Sequence, residues 1–181
     1  MVFIDPKNYL KYYPPGPDAH SNILEVKVSM MLLTIEKIME IDMTFDTKFG
    51  LILEWKDRRL TYYNLKEQKE ANIVSMKDRE KMWIPPLLFN NTNENIKAQN
   101  DENANMVIER LGAHTYAPIE ELNENYVYSG LENKIVFGRL YVIKQGCHFK
   151  LENYPFDTQV CLIEVSCHRA KCLDTIWHVN W

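Results

Sequence analysis

No stretch of about 18 or more apolar residues, the length at which a membrane-spanning helix becomes a candidate, occurs in this 181-residue chain. Its apolar runs are short, as at Met30 to Leu33. The N-terminus, Met1-Val2-Phe3-Ile4-Asp5, lacks a charged segment followed by an apolar one, so no secretory signal is expected in it. Basic residues are scattered, with no run longer than Arg58-Arg59, and the net charge is −4. That balance gives no electrostatic case for nucleic acid or for an anionic membrane surface, and no nucleic-acid partner is expected. The five histidines, His20, His114, His148, His168 and His178, show no H-E-x-x-H spacing. No G-x-S-x-G elbow or phosphate-binding glycine loop is present, and no cysteine pair has the C-x-x-C spacing of a zinc site. The chain is therefore expected not to be an enzyme and to carry no metal and no cofactor.

What is there reads as β-structure. The length suits one domain with a sizeable core, and 46% hydrophobic with 25% charged residues is ordinary for a globular protein. From Met39 the apolar residues fall on odd positions: Met39, Ile41, Met43, Phe45, Phe49, Leu51, Leu53 and Trp55, interrupted only by Thr47. This period of two predicts a long half-buried strand. Leu24, Val26, Val28, Met30 and Leu32 alternate likewise and predict a preceding strand, with a turn near Glu36-Lys37. Ser29 to Ile41 also fits an amphipathic helix. Further strands are expected over Lys134 to Lys144 and from Cys161 onward. Polar stretches at Lys66 to Glu70 and Asn90 to Asn105 read as surface loops. With no internal repeat and no convincing long helix, the expected class is all-β, a β-sandwich.

Four cysteines, Cys147, Cys161, Cys167 and Cys172, allow three pairings. Disulfides imply an oxidising compartment. Asn90-Asn91-Thr92 is an N-glycosylation sequon and points the same way. A disulfide-bearing chain with no export signal is expected to be incomplete at its start, or to have its start misassigned. Cys147 and Cys161 bracket thirteen residues that contain Tyr154-Pro155-Phe156-Asp157-Thr158-Gln159.

That spacing with its internal aromatic-Pro-x-Asp motif resembles the signature loop of the Cys-loop receptors, the pentameric neurotransmitter-gated ion channels. Three more blocks follow the family's order. Trp55-Lys56-Asp57-Arg58-Arg59-Leu60 is similar to its W-x-D-x-R-L. Trp83-Ile84-Pro85 is similar to the W-x-P that opens binding loop A. Gly130 to Gly138 resembles the approach to the sixth strand. The resemblance covers roughly Tyr13 to Ser166. It implies an immunoglobulin-like sandwich of the receptor extracellular domain, incomplete at its C-terminal end.

It also implies a disulfide between Cys147 and Cys161. Closing a loop of about 15 residues removes roughly 3 kcal/mol of unfolded-state entropy on a chain model. Cys167 and Cys172 form a second small loop or stay as thiols. Tyr154-Pro155 tolerates a cis turn better than most pairs, and Asp157 is expected to cap backbone donors. Trp55 reads as a core aromatic, Asp57 with Arg59 as a turn ion pair of little value at a surface, and Pro85 and Pro86 as a bar to central-strand pairing.

Family ligand sites are aromatic boxes that hold a cationic amine, and this chain departs from them. Gly50 stands five residues before Trp55, Pro86 replaces the usual Asp, the loop A aromatic falls on Leu88 or Phe89, and loop B carries His168. Leu88, Phe89 and His168 are the candidate ligand contacts, and Asn90 the candidate glycan acceptor. The expected organisation is a Tyr/Pro-rich lead-in over 1–20, a partial ligand-binding domain over 21–166 and a divergent tail over 167–181. The implied function is transmitter binding between subunits of a homo- or hetero-pentamer, on the extracellular face of the plasma membrane. The pore it couples to lies in a membrane region outside this chain. A soluble secreted module resembling acetylcholine-binding protein, a non-functional truncated subunit and an unrelated adhesion sandwich are the alternatives.

Overall fold

The computed structural model describes residues 2–5, 7–16, 24–92, 104–116, 126–154, 156–168, 170–173 and 175–180. Pro155 and the middle of the Asn90 to Asn105 stretch lie outside these, as do the last residues of the lead-in.

Two long strands form the spine. β2 (Glu25–Met39) and β3 (Thr44–Lys56) make an antiparallel hairpin, and β3 pairs along its whole length with β9 (Lys134–Gly146). β6 (Asn105–Glu109) adds to the far side of β9, and β11 (Lys171–Leu173) adds in parallel to the start of β2. The resulting sheet has the order β11-β2-β3-β9-β6. A second sheet, β12-β10-β5, comprises β5 (Leu87–Phe89), β10 (Val160–Cys167) and β12 (Ile176–Asn180). A small third sheet joins β1 (Val2–Phe3), β4 (Thr61–Tyr63), β8 (Tyr126–Ser129) and β7 (Thr115–Tyr116). Helix is confined to one 3-10 turn at Lys69–Ala71 and to α1 (Met76–Arg79), among the described residues. None of these helices is long and apolar enough to cross a membrane. The molecule is an all-β sandwich.

The period-two stripe is the core. Phe45, Thr47, Phe49, Leu51, Leu53 and Trp55 all face inward and are almost wholly buried, and on β9 Ile135, Phe137, Tyr141 and Ile143 complete the layer. Cys161, Ile163 and Val165 of β10 face them from the second sheet. Burying one such large side chain contributes about 1.5–3 kcal/mol, so the stripe dominates the fold's stability. Thr47 fits because its hydroxyl lies 3.5 Å from the Ile143 carbonyl.

The hairpin corrects the sequence reading. The chain reverses at Glu40–Met43, not at Glu36-Lys37, and the strand starts at Thr44 rather than Met39. Met43 adopts φ 52 in that turn, and its amide donates to Glu40. Ser29 to Met39 is strand, and Glu40 and Ile41 belong to the turn; the helical alternative is not adopted. The edge of β3 offers pairs down to Met39↔Thr44, and two register shifts, at Leu33 and Glu36, keep the ladder going. Each inserts one extra residue, which is how a β-bulge absorbs a locally unfavourable pattern. Beyond Met30 the strand is largely exposed, Met31, Leu32, Leu33 and Ile38 included, and among the described residues its outer edge is paired only over Glu25 to Lys27.

Candidate functional site

Three groups of residues singled out in the sequence occupy three places in the sandwich. The first lies where β3 ends. Asp57 begins a turn in which the Leu60 amide donates back to its carbonyl. The Asp57 carboxylate accepts from Arg59 Nε at 2.8 Å, Nη2 at 2.7 Å and the backbone amide at 3.1 Å. It also accepts from the Tyr9 hydroxyl at 3.0 Å. Arg59 reaches on to the carbonyls of Leu10 and Tyr13 and lies 4.3 Å above the Tyr9 ring. The Trp83 amide donates to the Tyr9 oxygen at 2.7 Å, and Trp83 packs edge-on against Trp55 at 6.1 Å.

Asp57 is wholly buried, so the expectation of a surface pair of little value is corrected. Removing one partner of a buried, hydrogen-bonded pair leaves a charge uncompensated, at a cost of about 3–5 kcal/mol. Burial first, then the Asp57 charge, pushes the Tyr9 and Tyr62 phenols above their ordinary range. Burial alone would lower the Arg59 guanidinium; its hydrogen bonds to Asp57 and that carboxylate's charge hold it raised. This hub straps the N-terminal segment to the segment that carries Trp83.

The second place is that segment's continuation. Pro85 is buried and Pro86 exposed, and pairing starts only after them, at Leu87. β5 is an edge strand, registered Leu87↔Cys167, Leu88↔Ser166 and Phe89↔Val165. Alternation sends Leu88 to solvent and Phe89 inward, where it packs with Phe49 at 6.0 Å and Tyr141 at 5.3 Å. His168 is exposed, and its amide donates to the Pro86 carbonyl at 3.1 Å. Leu88 and His168 therefore come from adjacent segments, while Phe89 belongs to the core. Cys167 and Cys172 are disulfide-bonded rather than free, closing the turn that carries His168. Asn90 is exposed, its side-chain oxygen accepting from Ser166 Oγ at 3.1 Å.

The third place is the loop between β9 and β10. Cys147 and Cys161 are disulfide-bonded, Cα to Cα 5.5 Å. Beneath the bond a small cluster of Phe45, Phe149 and Cys161 is buried, with Ile35, Met43 and Cys147 packed on it. Gln159 closes the loop across its base, bonding Lys150 through both its oxygen and its amide. Its amide also donates to Asp157, so the carboxylate expected to cap backbone donors is engaged by a side chain. The apex points outward: Tyr154 is 66% and Phe156 92% exposed, and Ile41, at the neighbouring β2–β3 turn, is 99% exposed. Pro155 lies outside the described residues, and the cis turn expected there with it. Among the described residues no cluster could hold a metal ion.

Two contributors escaped the sequence reading. Tyr9 sits in the Tyr/Pro-rich lead-in, and nothing in its pattern marks it as the hub's centre. Asn91 stands in the sequence only as the middle of a sequon, yet its side chain reaches both Gln145 and Leu162.

The sequence profile of the family described as "Neurotransmitter-gated ion-channel ligand binding domain" matches residues 6–177. A gamma-aminobutyric acid receptor subunit beta of Lymnaea stagnalis is 24% identical over 149 residues, 78% of this chain and 26% of that protein. A glutamate-gated chloride channel subunit beta of Haemonchus contortus is 20% identical over 174 residues, 94% of this chain and 36% of that protein. An acetylcholine receptor subunit, beta-type unc-29, of Caenorhabditis elegans is 25% identical over 160 residues, 87% of this chain and 27% of that protein. The chain thus spans between 26% and 36% of the length of these relatives.

Proposed function

From the premise that this chain belongs to the family of neurotransmitter-gated ion-channel ligand-binding domains, we propose that it binds a small transmitter at the interface between subunits of a pentamer. It stands on the extracellular face of the plasma membrane and passes the binding signal through the Cys147–Cys161 loop to a pore formed elsewhere in the subunit. The observation that carries this reading is the arrangement at one end of the sandwich. A disulfide-closed loop with exposed Tyr154 and Phe156 is docked on a hairpin turn that exposes Ile41. Apolar groups this exposed suit burial against another surface, and the membrane-embedded part of a channel would supply one. Binding that favours one of two conformations shifts their populations, and the loop is placed to report that shift.

The transmitter site itself would use the face shared by β5 and the His168 turn. Leu88 and His168 stand there exposed, and the imidazole offers a polar contact for a transmitter. Asn90, exposed at the end of β5, is the proposed glycan acceptor.

The test is a patch-clamp recording from cells that express the subunit from its full transcript, with γ-aminobutyric acid, glutamate and acetylcholine applied in turn. Transmitter-evoked current that disappears together with surface assembly in Cys147→Ser supports the reading. Unchanged assembly and gating in that variant would overturn it.

A further inference from the structure

Cys147 directly follows β9 and Cys161 lies in β10, yet the two strands belong to different sheets and, among the described residues, are not paired with each other. Close to the disulfide one residue spans the gap. Asn91, two positions beyond β5, accepts the Gly146 amide on its backbone carbonyl at 2.8 Å. Its side-chain Nδ2 donates to the Leu162 carbonyl and lies 3.4 Å from Gln145 Oε1. Gly146 precedes Cys147 and Leu162 follows Cys161, so Asn91 touches the neighbours of both cysteines. Next to it, the Asn90 amide donates to the Glu164 carbonyl at 3.0 Å, which fastens the same end of β5 to β10.

The arrangement is costly. Gln145 is wholly buried, and its Nε2 and the Asn91 Oδ1 are both buried without a hydrogen-bond partner among the described residues. Each unsatisfied buried group loses its hydration without a replacement bond. An apolar pair of similar size would hold the sheets together at less cost. A polar pair fixes direction and register instead, because its donors and acceptors must face one another.

We propose that Asn91 is a positioning residue that transmits displacements of β5 to both roots of the Cys147–Cys161 loop. The other end of β5 carries Leu88 and abuts the His168 turn. A shift there moves Asn91 along the strand, and Asn91 pulls on Gly146 and Leu162 together. The disulfide alone would let the loop ride on whichever sheet moved first; with Asn91 the loop follows β5. The role in gating rests on the channel reading above, whereas the transmission is a property of this chain and can be measured without a channel.

The experiment labels the 181-residue chain with 4-fluorophenylalanine and follows the Phe156 resonance at the loop apex, assigned by Phe156→Leu. Leu88→Trp supplies a displacement at the far end of β5. We expect Leu88→Trp to move the Phe156 resonance in the Asn91 chain. In Asn91→Ala, which leaves the Asn90 sequon intact, the movement should shrink at least threefold. The resonances of buried Phe49 and Phe89 report that the fold persists. If Asn91→Ala does not fold, Asn91→Asp keeps the shape and loses the donor, and the same loss is expected. A Phe156 response equal in all backgrounds, or no response to Leu88→Trp in the Asn91 chain, would overturn the proposal and leave the channel reading standing. Lack of transmitter-evoked current with transmission intact would do the reverse.

Discussion

The Cys147 amide donates to the Met43 carbonyl over 2.9 Å, tying the first residue of the disulfide loop to the turn between β2 and β3. Met43 holds its left-handed conformation in that turn, an uncommon one for a residue with a long side chain. The turn and the loop form one unit, filled by Phe45 and Phe149.

Phe45→Ala is expected to cost about 3–5 kcal/mol, as large-to-small changes at well-packed aromatic sites do. It should also expose the disulfide, since Cys161 is 1% exposed and Phe45 packs on it. Urea unfolding measures the first effect, and the rate of reduction by a water-soluble phosphine the second. A loss under about 1 kcal/mol would mean that the loop is not seated on the hairpin.

The hub gives a second test. Asp57→Ala leaves Arg59 partly buried without its carboxylate and should cost about 3–5 kcal/mol. Tyr9→Phe removes one bond to Asp57 and one from the Trp83 amide, at a cost of about 1–3 kcal/mol. The two losses share a bond, so the double variant should be less destabilised than their sum. Strict additivity in a urea double-mutant cycle would show that Tyr9 is not held by Asp57.

How much of this was legible beforehand follows from what each residue's neighbours in sequence reveal. The inward stripe from Phe45 to Trp55 could be read because alternation is local and a buried sheet face enforces it. Its beginning could not: Met39, Ile41 and Met43 continue the pattern into a turn, because the reversal is set by the β3 partner strand and two bulges, not by turn residues. The family's motif marked the disulfide loop. The depth of Asp57 stayed hidden, since its partner Tyr9 lies 48 residues away. Asn91 stayed hidden for the same reason, its partners lying 54 and 71 residues further on.

Alkaline pH should loosen the hub. Burial and then Asp57 raise both the Tyr9 and the Tyr62 phenol, so both hold their protons more tightly folded than unfolded. Their contribution to stability is fully present below about pH 10, the ordinary tyrosine value, and is lost as pH climbs above it. Unfolding free energy measured from pH 8 to 11 should therefore fall at the upper end, and Tyr9→Phe should flatten that fall. A profile that stays level to pH 11 would mean that the phenols ionise freely in the folded chain.

The two disulfides should differ in worth, for topological reasons. The Cys147–Cys161 bond closes a separation of 14 residues, and the Cys167–Cys172 bond one of 5. Loop-closure entropy alone predicts losses of about 3 and about 2 kcal/mol on removing them. The first bond also links the residue after β9 to β10, in a different sheet, over a buried aromatic cluster, whereas the second closes one local turn whose ends are held by β10 and by the pairing of β11 with β2. Replacing Cys147 and Cys161 together by serine should lower stability by more than the entropy figure, because the loop then loses its seat on Phe45. Replacing Cys167 and Cys172 together should cost no more than that figure. Equal losses in urea unfolding, or a larger one for the second pair, would mean that the His168 turn, not the docked loop, is the element that the remaining contacts fail to hold.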